Sequence, residues 1–216
     1  HLLDDVLRLA THTRSPEVEE LLSELSEVLS APGEVYNLLT NADLTFPTVE
    51  RPDGSAVEIT QSNLTRLLKA PDRAFRRTVY DEFYGTLSAV RNTLGTTLGK
   101  SVRADVKLAR ARGYDTAREA ALDGPNVPVE VYDTVVQTVC SSLDVLHRHA
   151  DLKRRALGVE ELRMWDLYMP LVDTESPDIP YEEATEHVVE AVAPLGEAYR
   201  SRVEAGIEAR WIDVYA

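Results

Sequence analysis

One stretch limits what this chain can become more than any other. From Pro71 to Gly113 the sequence reads PDRAFRRTVYDEFYGTLSAVRNTLGTTLGKSVRADVKLARARG. Phe75, Val79, Phe83, Leu87, Val90, Leu94, Leu98, Val102, Val106 and Ala109 step by three and four along one side. That spacing is the signature of an amphipathic helix. Gly85, Gly95 and Gly99 interrupt it, each costing about 1 kcal/mol against alanine. They predict a bend near 95–100 or the close approach of a neighbour. Gly113 suits a left-handed stop. A helix of this length needs other helices to cover its apolar stripe, so the chain is predicted to be mainly α.

The remaining segments agree. LLDDVLRLATHT predicts a short helix, and SPEVEELLSELSEVLS a strong one with Ser15 as cap, Pro16 in the first turn and glutamates at the positive end of the dipole. Ala31-Pro32-Gly33 is expected to break it before another short helix at GEVYNLLTNA. Residues 43–60 change period: DLTFPTVE and SAVEIT read as strands joined by the turn RPDG, a β-hairpin with Pro47 marking an edge. QSNLTRLLKA and DTAREAAL read as short helices, and residues 126–158 as one long helix opened at Pro128 and closed at Gly158. LRMWDLYMPLV, near 164–172, reads as a strand followed by the loop DTESPDIP. Residues 181–210 give two helices or one kinked at Pro194, and residues 211–215 a final strand-like run. The parts divide into short helices plus hairpin over 1–60 and long helices over 61–216, with no linker between them.

Charge excludes several functions. The chain has 37 acidic and 23 basic residues, net −14, and just four lysines, Lys69, Lys100, Lys107 and Lys153. Nucleic acid requires a basic face, so it is excluded as a partner. An acidic, lysine-poor surface fits a salt-loaded cytoplasm, where screening relieves self-repulsion. No apolar run reaches the ~20 residues needed to span a bilayer. The single Cys140 leaves no internal disulfide and fits a reducing compartment.

The search for chemistry yields little. No histidine is followed by glutamate, so the His-Glu-x-x-His zinc pattern is absent from the 216 residues. TLGTTLGKS ends like a phosphate loop but lacks its glycine spacing. Asp144, His147 and Asp151 share a helical face, as do Glu183 and His187. Both sets read more simply as solvated surface than as metal ligands. Cys140, among Val136, Val139 and Leu143, is expected in the core rather than as a nucleophile. Arg73, Arg76 and Arg77 are expected on an exposed side, paired with Asp72, Asp81 or Glu82. Trp165, Tyr168 and Trp211 are candidates to line a peptide groove, or else core aromatics.

Whole strings carry more. SEVLSAPGEVYNLLTNADLTFPTV, VRADVKLARARGYDTAREAAL, NVPVEVYDTVV, LHRHADLKRRALGVEELRMWDLYMPLV and YEEATEHVVEAVAPLGEAYRSRVEAGIEARWIDVY resemble, in the same order, oligoendopeptidase F. That is a branch of the thimet-oligopeptidase-like zinc metallopeptidases. The resemblance covers residues 21–215. It implies an intracellular, cytoplasmic zinc endopeptidase that hydrolyses short oligopeptides in a deep helical channel. It also implies that this chain is a piece of it, ending before the zinc motif, with its start trimmed as well. On that reading it forms channel wall, holds no catalytic or zinc-binding residue, is inactive alone, and bares a surface through which copies can self-associate. Trp165 and Tyr168 are then expected at the junction with the catalytic half and facing substrate. The alternative is a free-standing helical adaptor or pseudo-enzyme. The apolar run Trp211-Ile212-Asp213-Val214-Tyr215 argues against it, since termini are commonly polar.

Overall fold

In the computed structural model, residues 2–172 and 179–212 are described. The chain divides into two compact units, residues 1–171 and 172–216. Of the described residues 69% are helical and the strands form one two-stranded hairpin, in keeping with the mainly α reading.

In the first unit, α1 (Leu2–Ala10) and α2 (Pro16–Glu24) precede α3 (Ser26–Leu38), which continues into a wider π turn at Leu39–Asp43. Pro32 lies inside α3 rather than ending it, and the actual interruption falls about two turns earlier, at Leu25. Proline removes one backbone donor, but here the loss is tolerated within a helix that packs along α6 (Arg91–Ala111).

The hairpin is present but shorter than the spacing suggests. Strand β1 (Thr48–Glu50) pairs antiparallel with β2 (Ala56–Glu58), with Val49 opposite Val57. Pro47 precedes β1, where its carbonyl still accepts from the Ile59 amide at 3.2 Å. In the turn, Asp53 accepts from the Ser55 amide and hydroxyl at 2.9 and 2.6 Å, and Gly54 supplies φ 83°. Alternation along the strands turns Val49 inward while Thr48 and Glu50 face solvent.

After α4 (Leu64–Leu67) comes α5 (Arg73–Ala89), started by Asp72, whose carboxylate accepts from the Phe75 amide at 2.7 Å. Phe75, Val79 and Phe83, four residues apart, meet Val49, Ile59, Leu67 and Leu68 in the core, with Val79 fully buried. Phe46 stacks on Phe83, ring centroids 4.6 Å apart. The long helix is broken at Val90, not near 95–100: the Val90 amide turns back to Leu87, and α6 starts afresh. Around Gly85, Gly95 and Gly99 the space a Cβ would take is open, so no neighbour presses on them.

Helix α7 (Ala117–Asp123) is capped by Thr116, which accepts from the Glu119 amide at 3.0 Å. The predicted single helix that follows is two, α8 (Val129–Ser141) and α9 (Leu143–Ala156), separated at Ser142. Gly158, φ 64°, makes the expected left-handed stop. Cys140 is exposed rather than in the core, together with Val135, Val136 and Val139. Among the described residues no element covers that face deeply enough to bury it.

A polar clasp ties the start of the chain to the end of α6. Arg112 donates two parallel bonds of 3.0 Å to Glu19, and Arg14 donates to the Ala111 carbonyl at 2.7 Å. The His12 ring stacks on Tyr114 at 3.6 Å, and the Tyr114 hydroxyl donates to Asp123 at 2.6 Å. Burial, then that carboxylate, push the Tyr114 phenol up to about 12. Gly113 closes α6 with φ 79°.

The second unit contains α10 (Tyr181–Ala191), a 3-10 turn at Ala193–Leu195, and α11 (Glu197–Glu208). The Pro194 alternative thus resolves to two helices, divided by Gly196 at φ 93°. Trp211 packs on Gly206, in irregular chain. Of the strand-like run 211–215, residues 213–215 lie outside the described residues.

Candidate functional site

The segment 164–172 is the one the sequence singled out for substrate contact, and it is not a strand. Met164–Asp166 form a 3-10 turn and residues 167–172 continue as turns and bends. The reason is Asp166. A strand would send this side chain to one face of a sheet, but here it is completely buried against α5, in the midst of donors.

Arg73 donates to both Asp166 oxygens, Nε at 3.1 Å to Oδ1 and Nη2 at 2.9 Å to Oδ2. Arg76 donates from Nη2 to Oδ1 at 2.9 Å, and the Arg163 amide to Oδ2 at 3.0 Å. Arg76 is itself buried, and its other N–H groups donate to the carbonyls of Ala70, Pro71 and Trp165 at 2.8, 2.8 and 3.1 Å. Burial alone would raise the Asp166 carboxyl. Its hydrogen bonds from Arg73, Arg163 and Arg76 outweigh that and hold it at about 2. Arg73, exposed as expected, and Arg76, buried instead, are therefore both committed to a carboxylate about ninety positions away rather than to a nearby acid. Just Arg77 pairs as expected, with Asp81 at 3.3 Å, and Asp72 serves instead as the cap of α5.

The segment is pinned on its other side too. Lys153 of α9, also buried, donates its ammonium to the Leu167 carbonyl. Held from both sides, the turn presents aromatic side chains over α5. Trp165 is half-buried, edge-on to Tyr80 with centroids 5.7 Å apart, and the Arg77 guanidinium lies 5.6 Å from its ring centre. Tyr80 rests on Tyr84 at 4.4 Å. Tyr84 and Tyr168 are 42% and 48% exposed, so this aromatic group borders both core and solvent. Burial, then Tyr80 and Tyr168, raise the Tyr84 phenol above its ordinary value.

Such a surface can stack on and hydrogen-bond to a peptide. It has no nucleophile, base or metal ligand set of its own. Asp151 is engaged by Arg154 and Arg155 at 2.9 and 3.0 Å, rather than joined with Asp144 and His147 around a shared point. Glu183 and His187 lie on α10 in the second unit. Among the described residues no group of three or more His, Cys, Asp or Glu is placed to hold a metal ion. The sequence named Trp165 and Tyr168 as candidates but not the residues that surround and hold them here, Asp166, Arg76, Tyr80 and Tyr84. The one available signal was an aspartate set in the apolar string Met164-Trp165-Asp166-Leu167-Tyr168.

Comparison with known proteins fixes the family. A profile described as peptidase family M3 matches residues 66–216, and one described as oligopeptidase F matches residues 1–46. The chain belongs to peptidase family M3. Within that family it is 39% identical over 215 residues to oligopeptidase PepF of Bacillus subtilis, a match spanning 100% of this chain and 32% of that protein. It is 36% identical to group B oligopeptidase PepB of Streptococcus agalactiae, across 100% of this chain and 36% of the relative. The crystal structure of oligoendopeptidase-F from Enterococcus faecium superposes with a TM-score of 0.78 at 36% identity, covering 95% of this chain and 38% of that one. The chain thus spans about a third of the length of the curated M3 relatives it matches.

Proposed function

We propose that this chain is part of a cytoplasmic zinc metalloendopeptidase that hydrolyses short oligopeptides, and that it contributes substrate-channel wall rather than the reaction centre. The relationship to oligopeptidases PepF and PepB over its whole length supports a peptidase parent. No described helix is long and apolar enough to cross a membrane. The described residues do not fit a zinc site, so no catalytic step is assigned to them. The metal and its general base would be supplied by sequence that the relatives have beyond the matched third.

The observation that carries the wall assignment is the doubly pinned turn presenting Trp165 and Tyr168. An aromatic surface fixed by a buried ion pair has little freedom left to lose when a peptide settles on it. In the full-length enzyme, Trp165→Ala and Tyr168→Ala should each lower kcat/KM for an oligopeptide about tenfold, mainly through KM. Cleavage at the unaltered rate would refute the substrate-facing role. The 216-residue chain alone, given zinc and a fluorogenic peptide, should show no turnover.

A further inference from the structure

The α3–α6 pair is the most extensive helix contact in the first unit, yet it does not close. Along it runs an open groove of about 510 Å³, within the size range of ligand pockets. Its α3 side is apolar, formed by Val28, Leu29, Pro32 and Val35, and Val28 is 68% exposed. Its α6 side bears Lys100, Arg103 and Lys107, all exposed. Spacings of three and four put these cations in one row, spanning about 10 Å of helix axis. None of the three forms an ion pair among the described residues.

The setting makes the row distinctive. In a chain of net charge −14, α6 carries Arg91, Lys100, Arg103, Lys107 and Arg110 against a single acid, Asp105. Two of the four lysines in the protein border this groove. At physiological ionic strength charges are screened beyond about 8 Å, so a ligand in the groove feels the local cations more than the distant acids. An apolar floor with a cationic rim matches a segment with apolar side chains on one edge and carboxylates on the other.

We propose that the α3–α6 groove binds acidic peptides, with leucine-like side chains against Val28 and Val35 and carboxylates on Lys100, Arg103 and Lys107. The site is separate from the Trp165–Tyr168 surface and does not depend on the peptidase reading.

The test uses the purified chain and two fluorescein-labelled dodecapeptides, one of leucine and glutamate, the other of leucine and lysine. Fluorescence anisotropy should show saturable binding of the glutamate peptide at least tenfold tighter than the lysine peptide, weakening as salt is raised. The double variant Lys100→Glu/Lys107→Glu should lose tenfold or more of that affinity. Val28→Glu, which sets a like charge on the apolar floor, should also lose it. Both variants alter exposed positions, and unchanged helical circular dichroism would show that they fold. Equal binding of both peptides, binding of neither, or indifference to both variants overturns the proposal. So would sedimentation showing that the charge reversal instead dissolves a dimer, since a second copy would then be the occupant. Loss of binding in a longer polypeptide matching the relatives' length would equally refute it, because the groove would be filled by the protein itself.

Discussion

Replacing Asp166 tests the central structural claim. In Asp166→Ala the buried Arg76 guanidinium keeps three carbonyl partners but loses its counter-ion, and Arg73 and the Arg163 amide lose their acceptor. Removing one partner of a buried pair costs about 3–5 kcal/mol. Arg73 is 43% exposed and regains water, so its share is small and the lower figure applies, about 3 kcal/mol. The pH dependence has a definite sign. The folded carboxyl, at about 2, lies below its ordinary 3.8, so its contribution is full above pH 4 and lost as pH falls toward 2. That difference corresponds to about 2 kcal/mol. The assay is urea unfolding followed by Trp165 fluorescence, in a Trp211→Phe background so that one of the two tryptophans reports. Urea is preferred to guanidinium because it adds no ions. The gap between parent and variant should be about 3 kcal/mol at pH 7 and narrow progressively below pH 4. A gap under about 0.5 kcal/mol at pH 7, or one unchanged from pH 6 to pH 2, would refute the reasoning.

Two glycines should respond oppositely to alanine. Gly113→Ala forces a side chain to φ 79° and against the Arg14 guanidinium, which has to shift, so it should lower stability by about 1–2 kcal/mol. Gly85→Ala, in a helix with open space at the Cβ, should raise it by about 1 kcal/mol; thermal melts of both variants decide. The acidic composition predicts a thermal midpoint that rises between low and molar salt, and a flat response in scanning calorimetry would count against adaptation to high salt.

The sequence was most informative where structure is local. Gly113 and Gly158 end their helices at positive φ, a local backbone requirement readable from residue type. The D-G turn places the hairpin for the same reason. Where helices break was less legible. Val90 and Ser142 interrupt runs whose apolar period continues unbroken, because period records which face is apolar and not whether the axis stays straight. The apolar spacing of α8 likewise implied burial of Cys140, yet spacing cannot state what packs against a face.

The sequence by itself determined the helices, the hairpin and the family, since caps, periods and ordered strings all act over short separations. Only the tertiary structure decided the fate of the 164–172 segment. Its apolar residues permit a strand, but Asp166 cannot be buried without positive partners, and those stand on α5 about ninety residues earlier. The cost of burying one carboxylate, met by two arginines and a backbone amide, bends that segment into a turn and sets Trp165 and Tyr168 where they are.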